Sequence, residues 1–173
     1  MAINARSKGK ANESVLAKEF TKWWNKLGCE FQRTDLIQTQ QRSNRMAHGD
    51  IVPVIKAQSC IDATFPFSVE AKREEGWDFL FLVKGNPKSC FTVWWSQCVR
   101  DAELWNRKPL LVFGRNYAGH FAAYRSSDGK VLRDGKIFRN SAPPTGGIQA
   151  LINGDVVRII TLKDFFETFE PVR

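Results

Sequence analysis

Glu70, Ala71 and Lys72 close the segment Phe65-Pro66-Phe67-Ser68-Val69-Glu70-Ala71-Lys72. An extended chain sends alternate side chains to opposite faces, so Phe65, Phe67, Val69 and Ala71 share the core face and Ser68, Glu70 and Lys72 the other. A carboxylate and an ammonium then stand side by side. Upstream, Gly49-Asp50-Ile51-Val52 puts another acid at the mouth of a strand, and a hairpin between Asp50 and Glu70 brings both carboxylates to one edge. Two converging carboxylates suit a hard cation such as Mg²⁺, which keeps several positions for water and phosphate oxygen. Coordination acidifies a bound water and neutralises charge on a phosphate under in-line attack. A lysine beside it orients the water or stabilises the leaving charge. Glu-x-Lys at a strand end also occurs as a solvated ion pair. Asp50, the basic loop before it and the charge of the whole chain tip the reading toward chemistry.

That charge is large. Lys and Arg total 26 against 18 Asp and Glu, a net charge of +8 with a pI near 9.5. A domain this basic is either merely soluble or built to meet a polyanion, of which nucleic acid is the commonest. Arg42, Arg45 and His48 directly precede Asp50, where phosphate contact is the expected role. His48 as general base is an alternative that a metal-activated water makes unnecessary. A membrane surface fits less well, because no stretch joins a long basic face to a lipid-seeking apolar one. No apolar run approaches the roughly 20 residues of a membrane span, and the first residues lack a signal-peptide core. The expectation is a soluble, unexported, cytoplasmic protein. Cys29, Cys60, Cys90 and Cys98 form no CxxC pair, and His48 and His120 are isolated. Reduced, mostly buried thiols are therefore expected, without structural zinc.

The elements that must position these groups follow from hydrophobic spacing. Residues 1–10, with Arg6, Lys8 and Lys10, read as a flexible basic arm. Asn12 can cap a helix to about Leu27, stopped by Gly28, with Leu16, Phe20, Trp23, Trp24 and Leu27 along one stripe. Short strands are expected over about 31–35 and 50–55, with a mobile loop at 38–49 and one or two more strands within 60–72. A helix over about 94–106 leads to the apolar strand Leu110-Leu111-Val112-Phe113. Segments 117–125 and 131–138 suggest a hairpin around Asp128-Gly129. A loop at 142–147, a strand over 156–160 and a short helix over 162–169 complete the chain. The expected fold class is α/β, a mixed central sheet flanked by helices. Most tryptophans lie at core spacing. Trp77 and Phe79, beside Lys72-Arg73, are the best candidates to touch DNA or a second subunit.

Asp50 followed by Glu70-Ala71-Lys72 resembles the signature of the PD-(D/E)xK nuclease superfamily, with Gly49 where the family commonly has proline. Within it, the chain resembles archaeal-type Holliday junction resolvases and their phage relatives. Lys8-Gly9-Lys10-Ala11-Asn12-Glu13 is similar to that family's Lys-Gly followed by a helix bearing a Glu. Glu13 shares the face of Leu16 and Phe20, so it points inward, where an acid needs a metal, a metal-bound water or a lysine. The resemblance makes Arg33 an arginine at the site edge. It also makes Gln97, in the helix before the apolar strand, a glutamine that supports the site. It implies a restriction-endonuclease-like nuclease domain over 11–173, with a core over about 11–125 and a C-terminal β/α addition over about 126–173. It further implies Mg²⁺ or Mn²⁺ held by Asp50, Glu70, the Ala71 carbonyl and Glu13, the last directly or through water. Lys72 would position the nucleophilic water. Lys8, Lys10, Arg33, Arg42, Arg45, His48 and Arg73 would meet DNA. Paired nicks across a two-fold four-way junction imply a C2 homodimer. The alternatives are a generic, restriction or repair nuclease of the same superfamily, or a non-catalytic DNA-binding protein on a vestigial nuclease fold.

Overall fold

Leu16, Phe20, Trp23 and Trp24 form the buried stripe of helix α1, Ala5–Trp24. The computed structural model describes residues 5–24, 30–36, 49–54, 65–75, 77, 89–134, 137–138 and 146–171. Helix α1 starts at Ala5, ahead of the expected cap, so residues 5–10 of the expected arm are helical. Ala, Arg and Lys in that stretch favour the helix, and only Gly9 opposes it. Asn12 is interior to the helix and buried, so it does not cap it.

Strands β1, Glu30–Arg33, and β2, Ile51–Val54, pair antiparallel. Strand β2 meets β3, Phe67–Arg73, through the pairing of Ile51 with Val69. Helix α2, Cys90–Leu104, is capped by Ser89, whose side chain accepts from the Thr92 N–H. It precedes β4, Lys108–Arg115, which runs parallel to β3. Then come β5, Gly119–Arg125, and helix α3, Ser126–Asp134. Strands β6, Ile148–Ile152, and β7, Asp155–Thr161, lead to helix α4, Leu162–Thr168. Among the described residues the sheet has seven strands in the order β1-β2-β3-β4-β5-β7-β6, with β3 and β4 its parallel neighbours. It is the mixed sheet flanked by helices that hydrophobic spacing predicts, and β6 and β7 extend it rather than forming a separate layer.

Both faces of the sheet are covered. Phe67, Val69, Leu110 and Val112 pack with α1 and α4 on one side. Leu111, Phe113 and Ala123 pack with Trp94, Trp95 and Cys98 of α2 on the other. Ser68 and Glu70 therefore project beneath α2, and both are buried. Cys98 and half-buried Cys90 are free thiols; Cys29, Cys60 and Phe79 lie outside the described residues. No helix among the described residues is long and apolar enough to cross a membrane.

Two expectations are corrected. Asp128-Gly129 is not a hairpin turn but lies in α3, where Asp128 stands in the first turn and Lys108 pairs with it at 2.8 Å. An acid near a helix N-terminus is stabilised by the backbone dipole, and Leu132 buries the inner face. Trp77 is 5% exposed, its ring on Phe113 and Phe121, so it belongs to the core and is not a docking surface.

Candidate active site

The site is built where β2 meets β3. The Asp50 N–H donates to the Val69 carbonyl at 2.8 Å, and the Asp50 carboxylate accepts through Oδ2 from the Ala71 N–H at 2.9 Å. Main-chain and side-chain bonds thus fix one acid against the strand that carries the other. Gly49 makes the approach possible. Its φ is +81°, and a Cβ there would stand 2.2 Å from the Val69 carbonyl oxygen. A proline, with φ held near −65°, cannot adopt that conformation, which accounts for glycine at this position. Thr34 closes the other side, its N–H donating to the Asp50 carbonyl at 3.0 Å and its hydroxyl to the Gly49 carbonyl.

Glu70 is held from two elements. Lys72 Nζ lies 2.6 Å from its Oε1, and Gln97 of α2 donates to the same oxygen at 2.7 Å. Glu13 reaches the cluster from α1 and accepts from Arg33 Nε at 3.2 Å. The structure therefore brings Glu13, Arg33, Asp50, Ala71, Glu70, Lys72 and Gln97 to one end of β3. Arg33 turns onto Glu13 and Asp35, with its side chain only 11% exposed. Lys10 pairs with Asp35 at 3.1 Å. Arg73 is exposed and donates to Asn12 Oδ1 at 3.3 Å and to Asn116 Oδ1 at 2.8 Å. The side chain of Lys8, together with Arg42, Arg45 and His48, lies outside the described residues.

Asp35 is the residue that sequence reasoning passed over. It faces a cavity of about 430 Å³ also lined by Lys10, Glu13, Thr34 and Asp50. Nothing in its spacing signals this; only the convergence of Lys10 and Arg33 upon it does. A larger cavity of about 1010 Å³, lined by Glu19, His120 and Thr161 among others, contains none of the predicted site residues.

The three acids share an electrostatic pattern. Burial, reinforced by the Asp50 charge, pushes the Glu70 carboxyl up to about 7, against the opposing pull of Lys72. Burial also raises Asp50, and the Ala71 N–H and Lys72 oppose it. Burial and then the Asp50 charge raise Glu13. Such crowding of acids is relieved by a cation. Among the described residues no three His, Cys, Asp or Glu side chains form a ready ligand cluster. Two carboxylates with free oxygens do remain. Glu70 Oε2 and Asp50 Oδ1 take no hydrogen bond among the described residues. That hard-oxygen set fits a cation that keeps most of its water.

The Glu70 shift has a consequence for stability. Its folded value of about 7 exceeds the ordinary 4.5, so the folded state binds more protons between those pH values and loses stability as pH rises through them. The loss is roughly 3 kcal/mol at most. In metal-free buffer at pH 8, Glu70→Gln is expected to melt several degrees above the wild type, the gap closing as pH falls toward 4.5. Melting curves at both ends of that range check it; a gap independent of pH contradicts the electrostatics.

A family model described as "Phage putative PDDEXK endonuclease" matches residues 4–172 of the chain. Neither the curated proteins nor the solved structures contain a match.

Proposed function

The chain belongs to the phage family of PD-(D/E)xK endonucleases, and from that premise we propose that it is a Mg²⁺- or Mn²⁺-dependent enzyme that resolves four-way DNA junctions as a C2 homodimer. The observation that carries the site assignment is the buried Glu70 carboxylate, gripped by Lys72 and Gln97 beside an Asp50 anchored on the Ala71 N–H. Asp50, Glu70 and the Ala71 carbonyl would hold the cation, with Glu13 acting through a water. When bound, the cation supplies positive charge to a phosphate under attack. The chain's own groups do the rest. Gln97 fixes the rotamer of Glu70 and leaves Oε2 free for the metal. Lys72 Nζ orients the water that attacks phosphorus in line with the departing 3′ oxygen. Asp50 is held rigidly, so no reorganisation is needed at the moment of reaction. Arg42, Arg45, His48, Lys8 and Arg73 would supply phosphate contacts, and Lys10 and Arg33 would do so once they leave their acidic partners.

Junction selectivity rests on the resemblance of the Lys8–Glu13 segment and the α2 helix to phage and archaeal-type resolvases. It also rests on the geometry of two cuts, which needs two copies of one site. The enzyme would work in the cytoplasm of the infected host. An immobile four-way junction with end-labelled arms should receive paired, symmetric nicks in Mg²⁺, excess linear duplex should compete poorly, and light scattering should give a dimer. A monomer that cuts duplex as readily as the junction would make the protein a generic nuclease of the superfamily. Binding without cutting by the intact chain would leave a vestigial fold.

A further inference from the structure

The turn between β4 and β5, Asn116-Tyr117-Ala118, carries an aromatic ring that stands clear of the described residues. Tyr117 is fully exposed, its relative accessibility 108%. Its φ is +63°, a conformation that costs an ordinary L-residue roughly 1–2 kcal/mol. Among the described residues, the other non-glycine residues of positive φ are Asn106 and Asn153, a residue type whose short polar side chain tolerates the left-handed region. A large aromatic does not belong there on conformational grounds. Backbone strain held at a solvent-exposed ring is a reason to look for a role.

The turn is held in place. Arg73 Nη2 donates to Asn116 Oδ1 at 2.8 Å, the Asn116 N–H donates to Glu75 Oε1 at 3.1 Å, and the Ala118 N–H to the Arg115 carbonyl at 3.3 Å. Its place in the sheet is fixed by register. Arg73 pairs with Gly114, so the turn projects just past the carboxyl end of β3, the end that carries Lys72. The turn that carries the ring is thus tied to the exposed Arg73, one residue on from the proposed catalytic lysine and on the opposite face of the strand. An exposed cation for phosphate and an exposed aromatic ring anchored through one turn are the combination that binds unstacked nucleotides. Bases inside a continuous duplex are stacked on one another and offer no such face.

Resting on the nuclease reading, we infer that Tyr117 is a stacking contact for an unpaired or splayed base next to the cleaved strand. The substrate class is then DNA interrupted near the cut: a junction centre, a gap or a single-stranded branch. The ring contributes affinity only where a base is free to meet it, so it discriminates by DNA structure rather than by sequence.

The test measures binding in EDTA, where no cutting occurs. The probes are a four-way junction, a duplex with a short single-stranded gap containing 2-aminopurine, and a fully paired duplex. Tyr117→Gly removes the ring while relieving the positive φ, so it should melt at or above the wild-type temperature. It should bind the gapped and branched DNAs on the order of 10-fold more weakly and abolish the fluorescence change of 2-aminopurine. Fully paired duplex should be unaffected, and Tyr117→Phe, which keeps the ring, should match the wild type. A Tyr117→Gly protein that binds every DNA as the wild type does, or loses the same factor on all three, overturns the inference. Wild-type protein that binds these DNAs but cuts none in Mg²⁺ overturns the nuclease reading alone; wild-type protein that binds none of them overturns both.

Discussion

Glu70→Gln should lower DNA cleavage on the order of 1,000-fold while leaving DNA affinity nearly unchanged. The carboxylate is replaced by an isosteric amide that neither carries charge toward a cation nor pairs with Lys72, 2.6 Å away. Gln97 remains in reach of the oxygen it now holds, so the helix above the site has no cause to move. Affinity for DNA comes mainly from phosphate contacts elsewhere on a chain of net charge +8. The effect therefore falls on the transition state and not on binding. Lys72→Ala and Asp50→Asn should show the same separation. Initial rates on labelled DNA, paired with equilibrium binding in EDTA, measure it. Substantial cutting by Glu70→Gln in Mg²⁺ would remove Glu70 from the site.

Gly49→Ala acts through the fold instead. The added methyl would meet the Val69 carbonyl oxygen at 2.2 Å and its carbon at 2.8 Å, both main-chain atoms of β3. Neither can yield without breaking the bonds that seat Asp50 on β3. The expected loss is about 3 kcal/mol or more, a fall of roughly 10 °C in Tm, together with loss of cleavage. Gly154→Ala is the matched control. Its φ is also positive, at +88°, but the new methyl meets nothing within 4 Å. Only the conformational cost of about 1 kcal/mol remains. Equal melting of the two variants would contradict the close approach of Gly49 to the Val69 main chain.

What was legible in the chain, and what was not, follows the range of the interactions. Glu70 and Lys72 could be placed on one face because strand alternation is local, and Asp50 stood out by preceding an apolar run. The sheet class followed from the same short-range patterns. Asn12 misled because its type suits a cap, whereas its actual partners are Arg73 and His120, 61 and 108 residues away. The Asp128-Gly129 pair carries hairpin chemistry, but Lys108 and the burial of Leu132 draw that stretch into a helix. The hairpin signal that does operate is Asn153-Gly154, where positive φ at both residues turns β6 into β7. That dipeptide is the sequence signal for strand β6. Asp35 was not readable because its place at the cavity depends on α1 bringing Lys10 and Glu13 to it across the fold, although its partner Arg33 is local.

The central claim is that the acids at the β2–β3 junction bind a divalent cation with which the protein hydrolyses DNA. The measurement that bears on it most directly is cleavage of end-labelled DNA by the wild-type chain and by Asp50→Asn across a titration of Mg²⁺, with EDTA as the blank. The account predicts no cutting in EDTA, saturable cutting by the wild type as Mg²⁺ rises, and none by Asp50→Asn at any concentration that leaves its fold intact. Cutting that persists in EDTA, or an Asp50→Asn protein that follows the wild-type curve, would contradict it.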